Sequence, residues 1–201
     1  MEQGDALGAT TGFFLIDPPS EFIGKYQVLG PLGRGSMGLV YRARDPEIGR
    51  EVAIKTLRKL LPSQLSNVDV ALERFRNEAR SAGNLRHANI NTIFEVGGDK
   101  ENPYIVMDYV EGEPLDVLLE REKRLSVERT LRYLLQIASG LDYAHSRGVI
   151  HKDIKPGNIL VDRQENVFIL DFGIATINES LPDKDQHAST AALGTPGYMS
   201  P

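Results

Sequence analysis

His151-Lys152-Asp153-Ile154-Lys155-Pro156-Gly157-Asn158, followed thirteen positions after Asn158 by Asp171-Phe172-Gly173, is the stretch on which the reading of this chain turns. Two acids, a lysine and an asparagine stand in and around turns. The turns flank two short apolar runs, Asn158 to Val161 and Val167 to Leu170, which read as strands. Hard oxygen donors suit a divalent magnesium ion, a carboxylate can orient a hydroxyl nucleophile, and a lysine can neutralise a moving phosphoryl group. The residue types and their spacing therefore point to phosphoryl transfer.

Upstream of this block, Leu131, Leu134, Leu135, Ala138 and Leu141 recur at helical spacing, with Ser126 as N-cap and Gly148 as C-terminal stop. Further upstream the pattern changes. Tyr26 to Leu32, Leu39 to Arg44, Glu51 to Leu57, Asn91 to Val96 and Tyr104 to Val110 read as five strands of an antiparallel sheet. One helix, Val68 to Ala82, interrupts them, with Leu72, Phe75, Ala79 and Ala82 as its apolar stripe. The expected fold class is α+β.

Two features of this first half carry chemistry. Gly33, Gly35 and Gly38 form a GxGxxG that would let backbone amides approach phosphate oxygens, although the same residues also serve an ordinary hairpin turn. Leu39-Val40-Tyr41-Arg42-Ala43 follows as strand, whereas a dinucleotide fold needs a helix there, so a Rossmann site is disfavoured. Lys55 lies in Val52-Ala53-Ile54-Lys55-Thr56-Leu57, where alternation puts Ala53, Lys55 and Leu57 on one face. It reads either as an edge lysine keeping its ammonium in water or as the partner of Glu78, which flanks the helix stripe.

Composition narrows the classes. The chain has 201 residues and a formal net charge of −5 without a long basic run, which argues against a constitutive nucleic-acid or anionic-membrane surface. The absence of cysteine excludes disulfides, thiolate metal sites and cysteine nucleophiles, and suits a reducing compartment. Phe13 to Ile16 is too short for a signal-peptide core or a membrane span. Residues 1–25 are expected to form a flexible leader, rich in Gly, Thr, Pro and acids without periodicity.

From about Tyr26 to Pro201 the sequence resembles the eukaryotic-like protein kinases, most closely the bacterial serine/threonine kinases of that superfamily, with each motif present once and in the family's order. The resemblance implies a bilobal fold: a five-stranded antiparallel N-lobe with one helix and hinge over residues 26–110, and a mainly helical, partial C-lobe over residues 111–201. It implies ATP and Mg²⁺, with Mn²⁺ as an alternative ion, protein substrates carrying Ser or Thr, and a homodimer for trans-autophosphorylation. A cytoplasmic location follows, either for the whole protein or as the cytoplasmic domain of a membrane-anchored one.

Carried over by position, Gly33, Gly35 and Gly38 resemble the lid over the ATP phosphates, with Leu32, Val40 and Ala53 above the adenine and Leu160 below it. Lys55 resembles the lysine on the α- and β-phosphates, held by Glu78. Met107 matches the gatekeeper, and Asp108 to Val110 the hinge. Asp153 resembles the catalytic aspartate, Lys155 the lysine at the γ-phosphate, and Asn158 and Asp171 the two metal ligands, with Phe172 behind Asp171 and His151 structural beside it. Thr195, in Gly194-Thr195-Pro196-Gly197-Tyr198-Met199-Ser200-Pro201, resembles the threonine that contacts Asp153 and Lys155. Ser189 and Thr190 are the leading phosphorylation candidates in the loop before it, with Ser180 ranked below them.

Two departures bear on this expectation. Lys152 stands where most of the family has arginine. A lysine is a point charge that cannot grip a loop phosphate bidentately, so weaker dependence on loop phosphorylation is expected. The sequence stops at Pro201, ahead of the helices that complete the family's domain, so exposed apolar surface on the Leu131 to Leu141 helix and an incomplete product are expected. Alternatives are an inactive fragment or pseudokinase-like binding module, which the presence of Lys55, Glu78, Asp153, Lys155, Asn158 and Asp171 weakens, and a small-molecule kinase, which would lack the Gly194 to Pro201 segment.

Overall fold

The computed structural model describes residues 21–34, 38–57, 76, 79–80, 83–99, 102–172 and 198. In the first half, β1 (Phe22–Ile23), β2 (Tyr26–Arg34), β3 (Gly38–Arg44), β4 (Glu51–Leu57), β5 (Ile93–Gly97) and β6 (Tyr104–Asp108) form one antiparallel sheet in the order β1-β2-β3-β4-β6-β5. The sheet has six strands where five were expected. The extra strand falls inside the supposed flexible leader: Gly24, with φ +57°, turns the chain so that Phe22 pairs with Gln27 and Ile23 with Tyr26. Residues 22 and 23, expected to belong to a leader ending at 25, are strand instead.

Strand β4 sits at the middle of the sheet and is buried on both faces. Val52 and Ile54 pack with Tyr26, Ala43, Tyr104 and Val106, while Ala53 packs on the other face with Ala79, Ile105 and Met107. Arg76, Ala79, Arg80 and Gly83 are helical, as the stripe predicted, and the rest of that helix lies outside the described residues. Lys55 shares the Ala53 face and is 3% exposed, which removes the solvent-edge reading of this lysine.

The second half is built on a three-stranded sheet, β7 (Gly112–Pro114), β8 (Ile159–Asp162) and β9 (Val167–Ile169), with two helices, α1 (Leu115–Glu122) and α2 (Val127–His145). Strand β7 and helix α1 carried no periodic signal long enough to be read. Ser126 caps α2 as expected, its hydroxyl accepting from the Arg129 amide at 3.2 Å. The apolar surface expected to be exposed on this helix is exposed, and the chain packs a different face. Leu131, Leu134 and Leu135 are exposed, whereas Tyr133, Gly140 and Ala144 are buried against β8 and β9 with Ile159, Val161, Val167 and Ile169. Gly140 lets the helix approach closely there: a Cβ would lie 2.9 Å from Ile169 Cδ1 and 3.3 Å from the Asn89 carbonyl oxygen.

The two halves meet where residues 85–93 leave the N-terminal helix. Leu85 and Ile90 belong to the second half's core. Ile169 donates to the Asn89 carbonyl (2.9 Å) and Asn91 donates to the Ile169 carbonyl (3.0 Å), so this segment edges β9 like an additional strand. No helix among the described residues is long and apolar enough to cross a membrane.

Candidate active site

The turn from His151 to Asn158 is organised from within. His151 is buried at 1% exposure, with its ring edge-on to Phe172 at 4.7 Å between centroids. Its Nδ1 accepts from the Asp153 amide (3.2 Å), so the proton sits on Nε2, which donates to the Leu170 carbonyl at 2.6 Å. Burial pushes its pKa below the ordinary histidine value, partly offset by that carbonyl. A neutral ring that spends both nitrogens on backbone is a spacer between the two loops, as the sequence reading assigned it.

Residues Pro156–Asn158 form a single 3₁₀ turn that aims Asn158 back at Asp153. The Asn158 amide nitrogen donates both to the Asp153 carbonyl (2.8 Å) and to Asp153 Oδ2 (3.0 Å). Lys155 Nζ meets the same Oδ2 at 2.8 Å. With both amide hydrogens turned to Asp153, Oδ1 is the atom through which Asn158 can act as a ligand. The Asn158 carbonyl in turn accepts from the Leu170 amide (2.9 Å), which fixes where Asp171 begins.

Asp171 and Lys152 both adopt left-handed backbone, with φ +57° and +63°. Such conformations cost non-glycine residues about 1 kcal/mol or more and recur at sites where a side chain must be aimed. The Asp171 carboxylate is aimed at β4: its Oδ1 lies 2.9 Å from Lys55 Nζ. The hydrogen bonds from Lys155 through Asp153, Asn158 and Leu170 thus lead to Asp171 and across to Lys55 in the sheet. Asn158 and Asp171 present hard oxygens at adjacent points of this line, a donor set that fits Mg²⁺, which takes few protein ligands and completes its shell with phosphate oxygens and water.

The expected adenine-side residues divide into groups. Val40, Ala53 and Met107 lie in one packed cluster, with Ala53 directly opposite Met107 and Val40 opposite Lys55 across the strand pairs. Leu160 alternates with the buried Ile159 and Val161 and so lies on the other side of β8 from the second half's core. Leu32 and Gly33 are exposed, Gly38 is buried, and Asp108 and Val110 are half-buried. The Asp108 amide donates to the Thr92 carbonyl at 2.9 Å, so it is not the hinge donor for a base. Gly35, Glu78, Ser180, Ser189, Thr190 and Thr195 lie outside the described residues, and among those described the carboxylate partner of Lys55 is Asp171.

Sequence reasoning missed the residues that hold β9 in place. Gln136 Oε1 accepts from the Val167 amide (2.9 Å) and from Asn89 Nδ2 (3.0 Å), while its Nε2 donates to the Glu165 carbonyl (2.9 Å). Glu165 makes a two-pronged bond with Arg129, at 2.7 Å on each side, and accepts from the Tyr133 hydroxyl. The Arg129 charge holds the Glu165 carboxyl below its ordinary range. A lone glutamine inside a helix gives no sequence signal of such a role.

Comparison with known proteins places this geometry. The protein kinase domain family matches residues 26–201. A probable serine/threonine-protein kinase of Streptomyces coelicolor is 41% identical over 192 residues, covering 92% of this chain and 28% of the relative. The serine/threonine-protein kinase PrkC of Bacillus subtilis is 40% identical over 89% of this chain and 26% of its own length. PknA of Mycobacterium tuberculosis, also a serine/threonine-protein kinase, is 37% identical over 89% of this chain and 41% of its own. The chain therefore spans about a quarter to two fifths of the length of these curated relatives.

Proposed function

Because this chain belongs to the protein kinase domain family, we propose that it transfers the γ-phosphoryl group of ATP to serine and threonine hydroxyls of proteins, its own included. The family as a whole uses ATP, a divalent cation and protein substrates. The finer reading proposed here is Mg²⁺ as the ion, with Mn²⁺ able to substitute, a cytoplasmic setting, and pairing of two copies for autophosphorylation.

One observation carries the reading: Asn158 bonds Asp153 through its side chain and fixes Leu170, the residue before Asp171, through its backbone, so catalytic and metal-binding candidates are set by one turn. Asp153 orients the incoming hydroxyl and accepts its proton, held in place by Asn158 and Lys155. Lys155, 2.8 Å from Asp153 in this structure, supplies positive charge where the phosphoryl group passes. Lys55 grips the α- and β-phosphates, and Glu78 is proposed to steady it. Asn158 Oδ1 and the Asp171 carboxylate would hold Mg²⁺, which when bound offsets phosphate charge. Val40, Ala53, Met107 and Leu160 enclose the base, and Thr195, Ser189 and Thr190 keep the docking and regulatory roles expected of them.

The test is transfer of radiolabelled γ-phosphate to a generic basic protein by the intact protein, beside Asp153→Asn and Lys55→Met variants. Label that disappears in both variants supports the enzyme. Label that persists in both points to a contaminating activity and overturns the assignment, as does nucleotide binding without any transfer, which would favour the binding-module alternative.

A further inference from the structure

Glu165 stands in the turn between β8 and β9 with φ +66°, a backbone conformation that suits glycine and strains a side chain. The turn itself does not need a glutamate. Asp162 closes it, its carboxylate accepting from the Gln164 and Asn166 amides at 2.9 and 2.8 Å and its carbonyl from the Glu165 amide at 3.1 Å. What the glutamate adds is a side chain that reaches α2.

Three residues on one face of that helix, Arg129, Tyr133 and Gln136, meet it. Arg129 and Tyr133 donate to its carboxylate, and Gln136 donates to its carbonyl. From there one edge of β9 is fastened at every second residue. The Val167 amide donates to Gln136 and its carbonyl accepts from Asn89 Nδ2, both at 2.9 Å. The Ile169 amide donates to the Asn89 carbonyl and the Ile169 carbonyl accepts from the Asn91 amide. The next residue in this alternation is Asp171. Among these fastenings the Arg129–Glu165 bond is charged and two-pronged, the stronger and geometrically stricter kind. It stands at the far end of the row and sets where the strand lies along its own axis.

We propose that Glu165 is a positioning residue: gripped by Arg129 and Tyr133, it sets β9 against α2 so that Asp171, six residues on, presents its carboxylate to the nucleotide's metal ion beside Asn158. The inference rests on the kinase reading above. Glu165 touches neither metal nor substrate. Its loss should therefore weaken metal binding by about 3- to 10-fold, less than the roughly 10- to 100-fold that follows loss of a direct partner of a metal ligand.

The experiment measures Mn²⁺ binding to the intact protein with a non-hydrolysable ATP analogue, read from the electron paramagnetic resonance of free Mn²⁺, beside the Mn²⁺ dependence of kcat. Glu165→Gly removes the side chain and suits the left-handed backbone, so the turn is kept. The expected result is weaker Mn²⁺ binding per folded molecule and a matching rise in the Mn²⁺ needed for half-maximal kcat. At saturating Mn²⁺, kcat and the KM for a basic protein substrate should stay close to wild type. Arg129→Leu removes the other half of the bond and should act alike, and the two changes together should weaken binding no more than either alone. Arg129→Leu also carries the test if Glu165→Gly does not fold. The proposal is overturned if folded variants bind Mn²⁺ as wild type does, even with a lowered urea midpoint, which would leave the bond a purely structural one. Additive losses in the double variant overturn it too. Wild type that neither binds Mn²⁺ with the nucleotide nor transfers label overturns the kinase reading and this inference with it.

Discussion

The two ion pairs of the site are nearly equal in length, 2.9 Å for Lys55–Asp171 and 2.8 Å for Lys155–Asp153, yet they are built in opposite ways. Lys155 and Asp153 are neighbours in one turn, with side chains 27% and 15% exposed, and the pair needs no other element to exist. Lys55 is 3% exposed in the middle strand of the sheet and reaches a residue 116 positions away, at the end of β9. That pair exists only if the sheet, the segment at 89–91 and the β8–β9 hairpin are all in place. A local pair can serve chemistry alone, whereas a long-range pair also reports on how the two halves are joined.

Breaking the local pair therefore tests chemistry with little effect on the fold. Asp153→Asn keeps the size of the side chain and removes the charge that would accept a proton. The expected loss in kcat is about 10³-fold, roughly 4 kcal/mol of transition-state stabilisation, while the urea midpoint stays within the equivalent of ~1 kcal/mol. A large drop in the urea midpoint would show that the turn depends on this charge for its folding, and the contrast between the pairs would fail.

The long-range pair should behave the other way. Asp171→Asn takes a counter-charge from a buried ammonium and is expected to cost about 2–3 kcal/mol in chemical denaturation, besides lowering activity. Adding Lys55→Met removes the buried cation itself, so the double variant should recover more than half of that loss, though none of the activity. Equal stability of the single and double variants would mean that the lysine finds equivalent compensation elsewhere.

Gln136 sharpens the comparison because it holds β9 without touching either pair. Gln136→Ala leaves the Val167 amide and the Glu165 carbonyl without their partners and is expected to destabilise by about 2 kcal/mol. Amide hydrogen exchange at Val167 should accelerate with it. Unchanged protection there would show that Asn89, which donates to the Val167 carbonyl at 2.9 Å, positions the strand alone.

How much of this was legible follows from residue type. Asp153, Lys155, Asn158 and Asp171 stood out because charged and amide side chains between apolar strands have few ordinary explanations, and Lys55 because its strand was otherwise apolar. Helix α2 was legible in period and in its exposed leucine face, but the face it packs was not. It carries two apolar faces, Leu131, Leu134 and Leu135 on one and Tyr133, Ile137, Gly140, Leu141 and Ala144 on the other. Large leucines marked the first, yet small residues at 140 and 144 admit β9 and Asn89 on the second. Strand β1 was hidden by being two residues long, and the Gln136 contacts are long-range hydrogen bonds that leave no periodic trace.

Lys152 gives a smaller effect. It is exposed and precedes Asp153 with a left-handed backbone. If a lysine there couples only loosely to a phosphorylated loop, phosphatase treatment should lower activity by less than about tenfold. A fall of several orders of magnitude would show that its point charge serves as well as an arginine fork.

His151 supplies the smallest expected effect and ties the two pairs together, since it bonds the Asp153 amide on one side and the Leu170 carbonyl on the other. Its pKa is lowered by burial, so between the folded value and the ordinary value near 6.5 the unfolded chain binds more protons than the native one. Stability should therefore fall as pH drops below about 6.5, by up to ~1.4 kcal/mol per unit, and level off once the folded group also titrates. His151→Asn keeps a polar side chain that cannot titrate in this range; it should start less stable but lose this acid dependence. An unchanged slope in the variant would assign the acid sensitivity to the carboxylates, and His151 would then be a spacer whose protonation the fold does not register.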